Sequence, residues 1–126
     1  MDSLKATMMQ ALSGMQLQTK RIDVSSQNIS NADTPGYRRK ILTVEEQSSG
    51  AAFMATRVQL DQSEGERQYD PANPLADGEG YITVSNVSLV TEMADMREAN
   101  RSYEANLNSF RQARSMYQSL LDVLKR

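Results

Sequence analysis

The most regular hydrophobic pattern in the chain runs from about residue 86 to its C-terminal end. No glycine or proline follows Gly80, so no residue there would interrupt a helix. Mostly apolar side chains recur every three or four positions, and these are Met93, Met96, Asn100, Tyr103, Leu107, Phe110, Arg114, Tyr117, Leu121 and Leu124. This spacing is typical of a coiled-coil seam, with Asn100 and Arg114 as its polar members. The pattern predicts a long helix with Ser88 as its N-cap and Glu92 in its first turn.

The length of this helix distinguishes two interpretations of its apolar stripe. One is an ordinary amphipathic helix on a core that the chain builds for itself, and the other is a seam shared with further helices. About 39 helical residues extend roughly 58 Å, whereas a domain of 126 residues has a radius of gyration of only ~14 Å. We therefore expect helices from this chain and from other copies to cover the stripe.

A second amphipathic pattern predicts a helix from about Ser3 to Ser30. Its apolar face consists of Leu4, Met8, Leu12, Met15, Ile22 and Ile29. Gly14 weakens the middle of this helix by about 1 kcal/mol relative to alanine. The turn residues 33–36 end it near Asn31, because the residue before a proline avoids the helical region. A core helix is one interpretation, but two matching seams favour pairing of the helices, either parallel or antiparallel.

The segment between the two helices begins with the pattern of extended chain. Residues 41–44 form a short apolar run, and Ser-Ser-Gly at 48–50 then breaks it. Apolar and polar side chains alternate from residue 54 to residue 61, which is the period of a half-buried strand.

Further along, residues 67–69 are placed to pair with residues 81–84 across an acidic loop. So few short strands cannot enclose a large core alone. We predict a mainly α fold, in which two long N- and C-terminal helices form a coiled-coil layer around a small β-rich insert. The helical part comprises residues 1–33 and 86–126, and the insert comprises residues 34–85.

Composition excludes several classes of function. The chain contains no cysteine and no histidine, so disulfides, thiol chemistry and histidine-based catalysis are excluded. Its net charge is −2, but residues 45–85 carry eight acidic and two basic side chains, a net −6. An acidic middle argues against nucleic acid as a partner. No apolar run reaches the roughly 18–20 residues of a membrane span, and the first residues lack the apolar core of a secretory signal peptide.

Two charged clusters are the remaining candidates for chemistry. Asp70, Asp77 and Glu79 lack the spacing of a calcium-binding loop and fit the geometry of a turn, so we expect no metal and no cofactor. The basic run Arg38-Arg39-Lys40 either grips an acidic partner or forms a solvated strand edge. No nucleophile–base pair and no phosphate-binding glycine loop appear, so neither an enzyme nor a small-molecule substrate is expected.

Residues 26–39 resemble the signature shared by bacterial flagellar rod and hook proteins, and their sequence is SQNISNADTPGYRR. The positions that carry this resemblance are Asn28, Asn31, Ala32, Thr34, Gly36 and Tyr37. Residues 69–77, YDPANPLAD, and residues 101–106, RSYEAN, are more specific and are similar to the proximal-rod proteins of the flagellar basal body. The resemblance covers essentially the whole chain.

The resemblance implies a structural subunit whose terminal helices pack with those of other copies into a helical, periplasm-spanning rod. The insert would lie further out, and the rod would transmit torque and surround an export channel. The implied partners are copies of the chain, other rod proteins, the rod-base adaptor, the membrane-ring protein and the flagellar type III export apparatus, which exports subunits without a cleaved signal. On this basis the two apolar stripes are the predicted subunit interface. A coiled-coil adaptor that closes into a discrete oligomer is the alternative.

Overall fold

The computed structural model describes residues 2–46 and 54–125. Its elements, in chain order, are α1 (Asp2–Ser30), β1 (Lys40–Glu46), β2 (Met54–Leu60), β3 (Arg67–Tyr69), β4 (Tyr81–Thr83) and α2 (Leu89–Leu124). The prediction of two long helices with a small β insert between them is confirmed. The predicted chain break at residues 48–50 lies outside the described residues.

The two helices pack against each other in antiparallel orientation. The side chain of Asn28, near the end of α1, contacts Glu92 in the first turn of α2. At the opposite end, the ammonium group of Lys5 lies 5.7 Å from the centre of the Tyr117 ring. Residue numbers therefore rise along one helix as they fall along the other, which decides between the two orientations that the sequence left open.

Small side chains bring the helices close together. A Cβ atom built on Gly14 would lie only 2.6 Å from Nδ2 of Asn106, so the backbone of α1 approaches α2 at this point. Ala11 on α1 and Ala99 and Ala113 on α2 are buried, and Ala99 is 0% exposed. The close approach explains why α1 tolerates a glycine in its middle despite the cost in helix propensity.

The boundaries of the helices follow from local signals in the sequence. The Ser88 hydroxyl accepts a hydrogen bond from the backbone N–H of Thr91 at 3.4 Å, which confirms it as the N-cap of α2. At the end of α1 the chain turns through Gly36, whose φ of +76° is a left-handed conformation that favours glycine. This glycine donates its N–H to the carbonyl of Thr83 at 2.9 Å, and so joins the turn to β4.

The strands form two separate antiparallel pairs. β1 pairs with β2 from Lys40 opposite Leu60 to Glu46 opposite Met54. β3 pairs with β4, with Tyr69 opposite Tyr81, which confirms the predicted pairing across the acidic loop.

The expected burial of one face of β2 is wrong for the isolated chain. Val58 and Leu60 are 53% and 50% exposed, because no third layer covers this side of the β1–β2 pair in the described part of the chain. In addition, neither described helix combines the length and the apolar content that crossing a bilayer requires.

Candidate subunit interface and the junction that positions it

Asn28 is the hub of a hydrogen-bonded junction between α1, β1 and α2. Its side chain is 1% exposed and makes four hydrogen bonds. The amide nitrogen donates to the carbonyl of Lys40 at 3.0 Å and to Oε1 of Glu92 at 3.2 Å. The amide oxygen accepts from the Tyr37 hydroxyl and from the Lys40 N–H, both at 2.9 Å. A single buried amide thus fixes the start of β1 against both helices.

Glu92 adds a buried charge to this junction. It is 1% exposed, and Nε of Arg39 donates to its carboxylate at 2.5 Å. The Arg39 guanidinium also lies 3.4 Å from Asp95 and 3.9 Å from Asp61. The hydrogen bond to Glu92 raises the pKa of Arg39 above its ordinary value, although desolvation opposes the shift. Burial first, and then the charge of Glu92, raise the pKa of the Tyr37 phenol. A buried carboxylate needs such a partner, because an unpaired one is strongly destabilising.

Asn86 links the junction to the loop that follows β2. Its amide oxygen accepts from the Arg39 N–H at 2.5 Å, and its amide nitrogen donates to the Ser63 carbonyl at 2.8 Å. Asp61 donates its backbone N–H to the carbonyl of Arg39 at 2.8 Å. Hydrogen bonds from Ser63, and to a lesser extent the arginines nearby, lower the pKa of the Asp61 carboxyl. We use "the junction" for Asn28, Tyr37, Arg39, Asn86 and Glu92.

The predicted signature residues lie together where α1 ends. Besides Asn28, Tyr37 and Gly36, the amide of Asn31 donates to the Gln27 carbonyl at 2.9 Å, and the Thr34 hydroxyl donates to the Asn31 side chain at 3.2 Å. The carbonyl of Ala32 accepts a hydrogen bond from the Ser85 hydroxyl. These contacts are all within the chain, so the signature sets the path of the backbone between the helix and the insert.

The basic run also makes contacts within the chain. Arg38 donates to the Gln62 carbonyl at 3.0 Å, and Nζ of Lys40 donates to the Gln27 side chain at 2.6 Å. Arg39 belongs to the junction. These contacts orient the three side chains within the chain, and contact of the run with an acidic partner stays a prediction.

The predicted interface stripe on α1 is largely turned toward α2. Met15 is buried, and Leu4, Met8, Ile22 and Ile29 are half-buried. Leu12 is 44% exposed and Met9 beside it is 53% exposed.

The predicted stripe on α2 divides into two sets. The half-buried members are Met96, Tyr103, Leu107, Phe110, Tyr117 and Leu121. The exposed members are Met93, Asn100, Arg114 and Leu124. Contact between these residues and other subunits remains a prediction.

Sequence reasoning missed the residues of α2 that lie deepest against α1. These are Glu92, Ala99 and Ala113, with Asn106 half-buried at the same heptad position. Each precedes a member of the predicted stripe by one residue. The heptad spacing of 92, 99, 106 and 113 was a usable signal, but small and polar side chains carry no hydrophobic signature.

Packing within the hairpin leaves many large apolar side chains exposed on both helices. On α1 and α2 these are Met9, Leu12, Leu89, Val90, Met93, Met116, Leu120, Val123 and Leu124. Isolated exposed apolar residues are normal, whereas larger exposed apolar patches are typical of protein contact surfaces.

The acidic loop is organised by hydrogen bonds and an ion pair within the chain. The Asp77 carboxylate accepts from the N–H groups of Glu79 and Tyr81, both at 2.9 Å, and pairs with Arg67 at 2.8 Å. The N–H of Tyr81 is the main reason why the pKa of Asp77 lies below its ordinary value. Within residues 2–46 and 54–125, no cluster of three acidic side chains is arranged to hold a metal ion.

Known proteins match the chain over nearly its whole length. The family described as "Flagella basal body rod protein" matches residues 8–38, and "Flagellar basal body rod FlgEFG protein C-terminal" matches residues 79–123. Flagellar basal-body rod protein FlgC of Agrobacterium fabrum is 42% identical over 99% of this chain and 98% of its own length. The FlgC proteins of Borreliella burgdorferi and Salmonella typhimurium are 32% and 33% identical, over 91% and 82% of this chain and 93% and 85% of their own lengths.

Proposed function

Because the chain belongs to the FlgC-type flagellar basal-body rod proteins and is a non-enzymatic structural subunit of that rod, we propose that its copies assemble helically through their terminal helices. In this assembly the α1–α2 hairpin forms the inner layer, and residues 34–85 lie outside it. The rod spans the periplasm, transmits torque and surrounds an export channel.

The observation that carries this proposal is the apolar surface that the hairpin leaves exposed along both helices. One antiparallel partner covers only one side of each helix, so further helices are needed to bury the remaining apolar groups. Burial of such groups stabilises association by roughly 25 cal/mol per Å² of apolar area, before the costs of ordering.

The proposed partners follow from a place in the rod. They are neighbouring copies of the chain, other rod proteins, the rod-base adaptor and the membrane-ring protein. During export the partner is the flagellar type III apparatus, which takes the subunit without a cleaved signal. A soluble adaptor would instead close its exposed surfaces in an oligomer of fixed size.

An exposed apolar residue near the end of α2 provides the test. In cells whose own gene carries the change, Leu120→Asp should leave production and export intact but prevent incorporation into isolated basal bodies, and motility should be lost. Leu120 is 42% exposed in the chain itself, so the fold should tolerate the change. The exposed Gln118 supplies the control, since Gln118→Asp adds the same charge two residues away without removing an apolar contact.

Isolated basal bodies also decide between rod subunit and adaptor. The proposal requires the unsubstituted chain to be part of the purified rod. A chain absent from basal bodies and found only as an oligomer of one fixed mass would favour the adaptor.

A further inference from the structure

The first turns of α2 carry an open apolar groove of about 490 Å³. Its lining residues are Val90, Met93, Ala94, Arg97, Glu98 and Arg101. Val90 is 80% exposed and Met93 is 51% exposed, so two large apolar side chains of the lining face solvent. A lining that combines apolar side chains, methionine among them, with arginines is typical in composition of protein interfaces.

The charge of this groove is positive. Among the described residues, Arg97 and Arg101 make no ion pair and no side-chain hydrogen bond. The one acid in the lining, Glu98, forms an ion pair with Arg21 of α1 at 3.8 Å. A partner for the groove should therefore present apolar side chains next to acidic ones.

One segment of the same chain, residues 58–66, carries exposed side chains of both kinds. Glu64 and Glu66 are exposed, and their carboxylates have no partner among the described residues. In sequence they follow Val58 and Leu60 of β2, which are exposed apolar residues. We call Val58, Leu60, Glu64 and Glu66 the acidic edge.

The acidic edge is held in place before any contact forms. Asn86 of the junction donates to the Ser63 carbonyl at 2.8 Å, and Val84 donates its N–H to the Glu66 carbonyl at 2.8 Å. Gly65 lies so close to the Val84 carbonyl that a Cβ atom there would overlap it. A fixed loop loses little conformational freedom on binding, which favours its use as a contact.

We propose that the acidic edge of one copy docks in the Val90–Arg101 groove of the next copy, with Glu64 and Glu66 paired to Arg97 and Arg101. This inference rests on the proposed assembly and names the surfaces that meet in it. Residues two apart in a chain span at most about 7 Å, and residues four apart on a helix are separated by about 6 Å along its axis. The spacing of the two glutamates therefore matches that of the two arginines.

The two surfaces are different parts of the same chain, and this determines the form of the assembly. When each copy presents a groove to one neighbour and an acidic edge to another, the contact repeats from copy to copy. It then builds an open helical array unless the rotation closes a ring. A symmetric dimer, in contrast, would join one surface to itself.

Site-specific cross-linking tests the contact, and the absence of cysteine makes it selective. A chain with Glu64→Cys and Arg101→Cys, treated with a short bis-maleimide in isolated basal bodies, should give a ladder of covalent multimers. Chains with only one of the changes, expressed together, should give dimers alone. The control replaces Arg101→Cys by Arg111→Cys, an exposed and unpaired arginine nearly three turns further along α2.

Charge reversal provides a second, independent readout. Arg97→Glu with Arg101→Glu should lower incorporation into basal bodies about tenfold, since two exposed ion pairs together contribute about that factor. Adding Glu64→Arg with Glu66→Arg should restore it.

The outcomes separate this contact from the assembly as a whole. No ladder and no restoration, in a chain that is still found in basal bodies, would overturn the contact and leave the rod function intact. Cross-links from these positions to a different rod protein would also overturn it, because the occupant would not be a second copy. Absence of the unsubstituted chain from basal bodies would overturn both.

Discussion

At the scale of single residues, the junction shows why a polar side chain occupies a buried helical position. Asparagine is a poor helix former in isolation, yet Asn28 uses both atoms of its amide to bind a strand, a tyrosine and an acid. None of the buried side-chain polar atoms among the described residues lacks a hydrogen-bond partner. A fully satisfied buried network specifies one geometry, because any shift leaves polar groups unpaired.

Substitution of Asn28 should reveal this role. We expect Asn28→Ala to lower the free energy of unfolding by about 3 kcal/mol, because the Lys40 N–H, the Tyr37 hydroxyl and Glu92 would each lose a buried partner. Urea denaturation of the purified chain followed by circular dichroism measures the change. Asn100→Ala on α2 is the control, since Asn100 is exposed and should shift the value by less than about 0.5 kcal/mol. Equal effects of the two changes would contradict the role of the junction.

At the scale of elements, the sequence predicted what local signals determine. The ends of both helices and the pairing of β3 with β4 depend on caps, turns and alternation within a few residues, as Ser88 and Gly36 illustrate. The junction depends on pairs such as Asn28 with Glu92, which are 64 residues apart. The helix dipole already explains an acid in the first turn of a helix. No local pattern indicates that such an acid will also be buried.

The side of α2 that faces α1 was harder to predict for a related reason. Hydrophobicity selects the positions of large apolar residues, but close helix packing selects small ones such as Ala99 and Ala113. The positions that the two criteria select differ by one residue in each heptad, or about 100° around the helix. The interface stripe predicted from large side chains therefore lies partly beside the contact within the hairpin.

The close approach at Gly14 gives a prediction for the helix pair. Gly14→Ala should destabilise the native chain, because the new methyl group would meet the side chain of Asn106. In a chain that already carries Asn106→Ala, the same change should stabilise by about 0.5–1 kcal/mol through helix propensity alone. Urea denaturation of the four chains gives the coupling energy, which we expect to exceed about 1 kcal/mol. Additive effects would show that the helices have room at this position.

At the scale of the whole molecule, α2 extends further than α1 in the described part of the chain. Lys5 lies over Tyr117. Beyond this contact, described α1 has only residues 2–4, whereas α2 continues through residues 118–124. Leu120, Val123 and Leu124 on this extension are exposed. Apolar groups at the end of one hairpin, together with the groove at its other end, give the subunit unlike surfaces at its two ends, as a repeating array requires.

The two polar members of the α2 stripe lead to a prediction about the register of that array. Asn100 and Arg114 are exposed in the chain, one on each side of the half-buried Leu107. A polar residue in an otherwise apolar seam disfavours shifted pairings, because a shift would bury it without a partner at about 1–3 kcal/mol. We therefore expect Asn100→Leu to strengthen helix association while allowing shifted, non-functional polymers. The isolated chain should keep its free energy of unfolding within about 0.5 kcal/mol.

Electron microscopy of assembled polymers and the swarming diameter of cells test this expectation. Asn100→Leu should broaden the distribution of polymer forms and reduce swarming, although the subunit is still produced and exported. Leu107→Ala and Phe110→Ala are the comparison, because each removes an apolar contact and should weaken association by about 2–5 kcal/mol if the site is fully buried in the assembly. These two variants should give less polymer of the normal form rather than more forms of it. Normal polymers and normal swarming with Asn100→Leu would mean that Asn100 faces solvent in the rod, and that register is set elsewhere on α2.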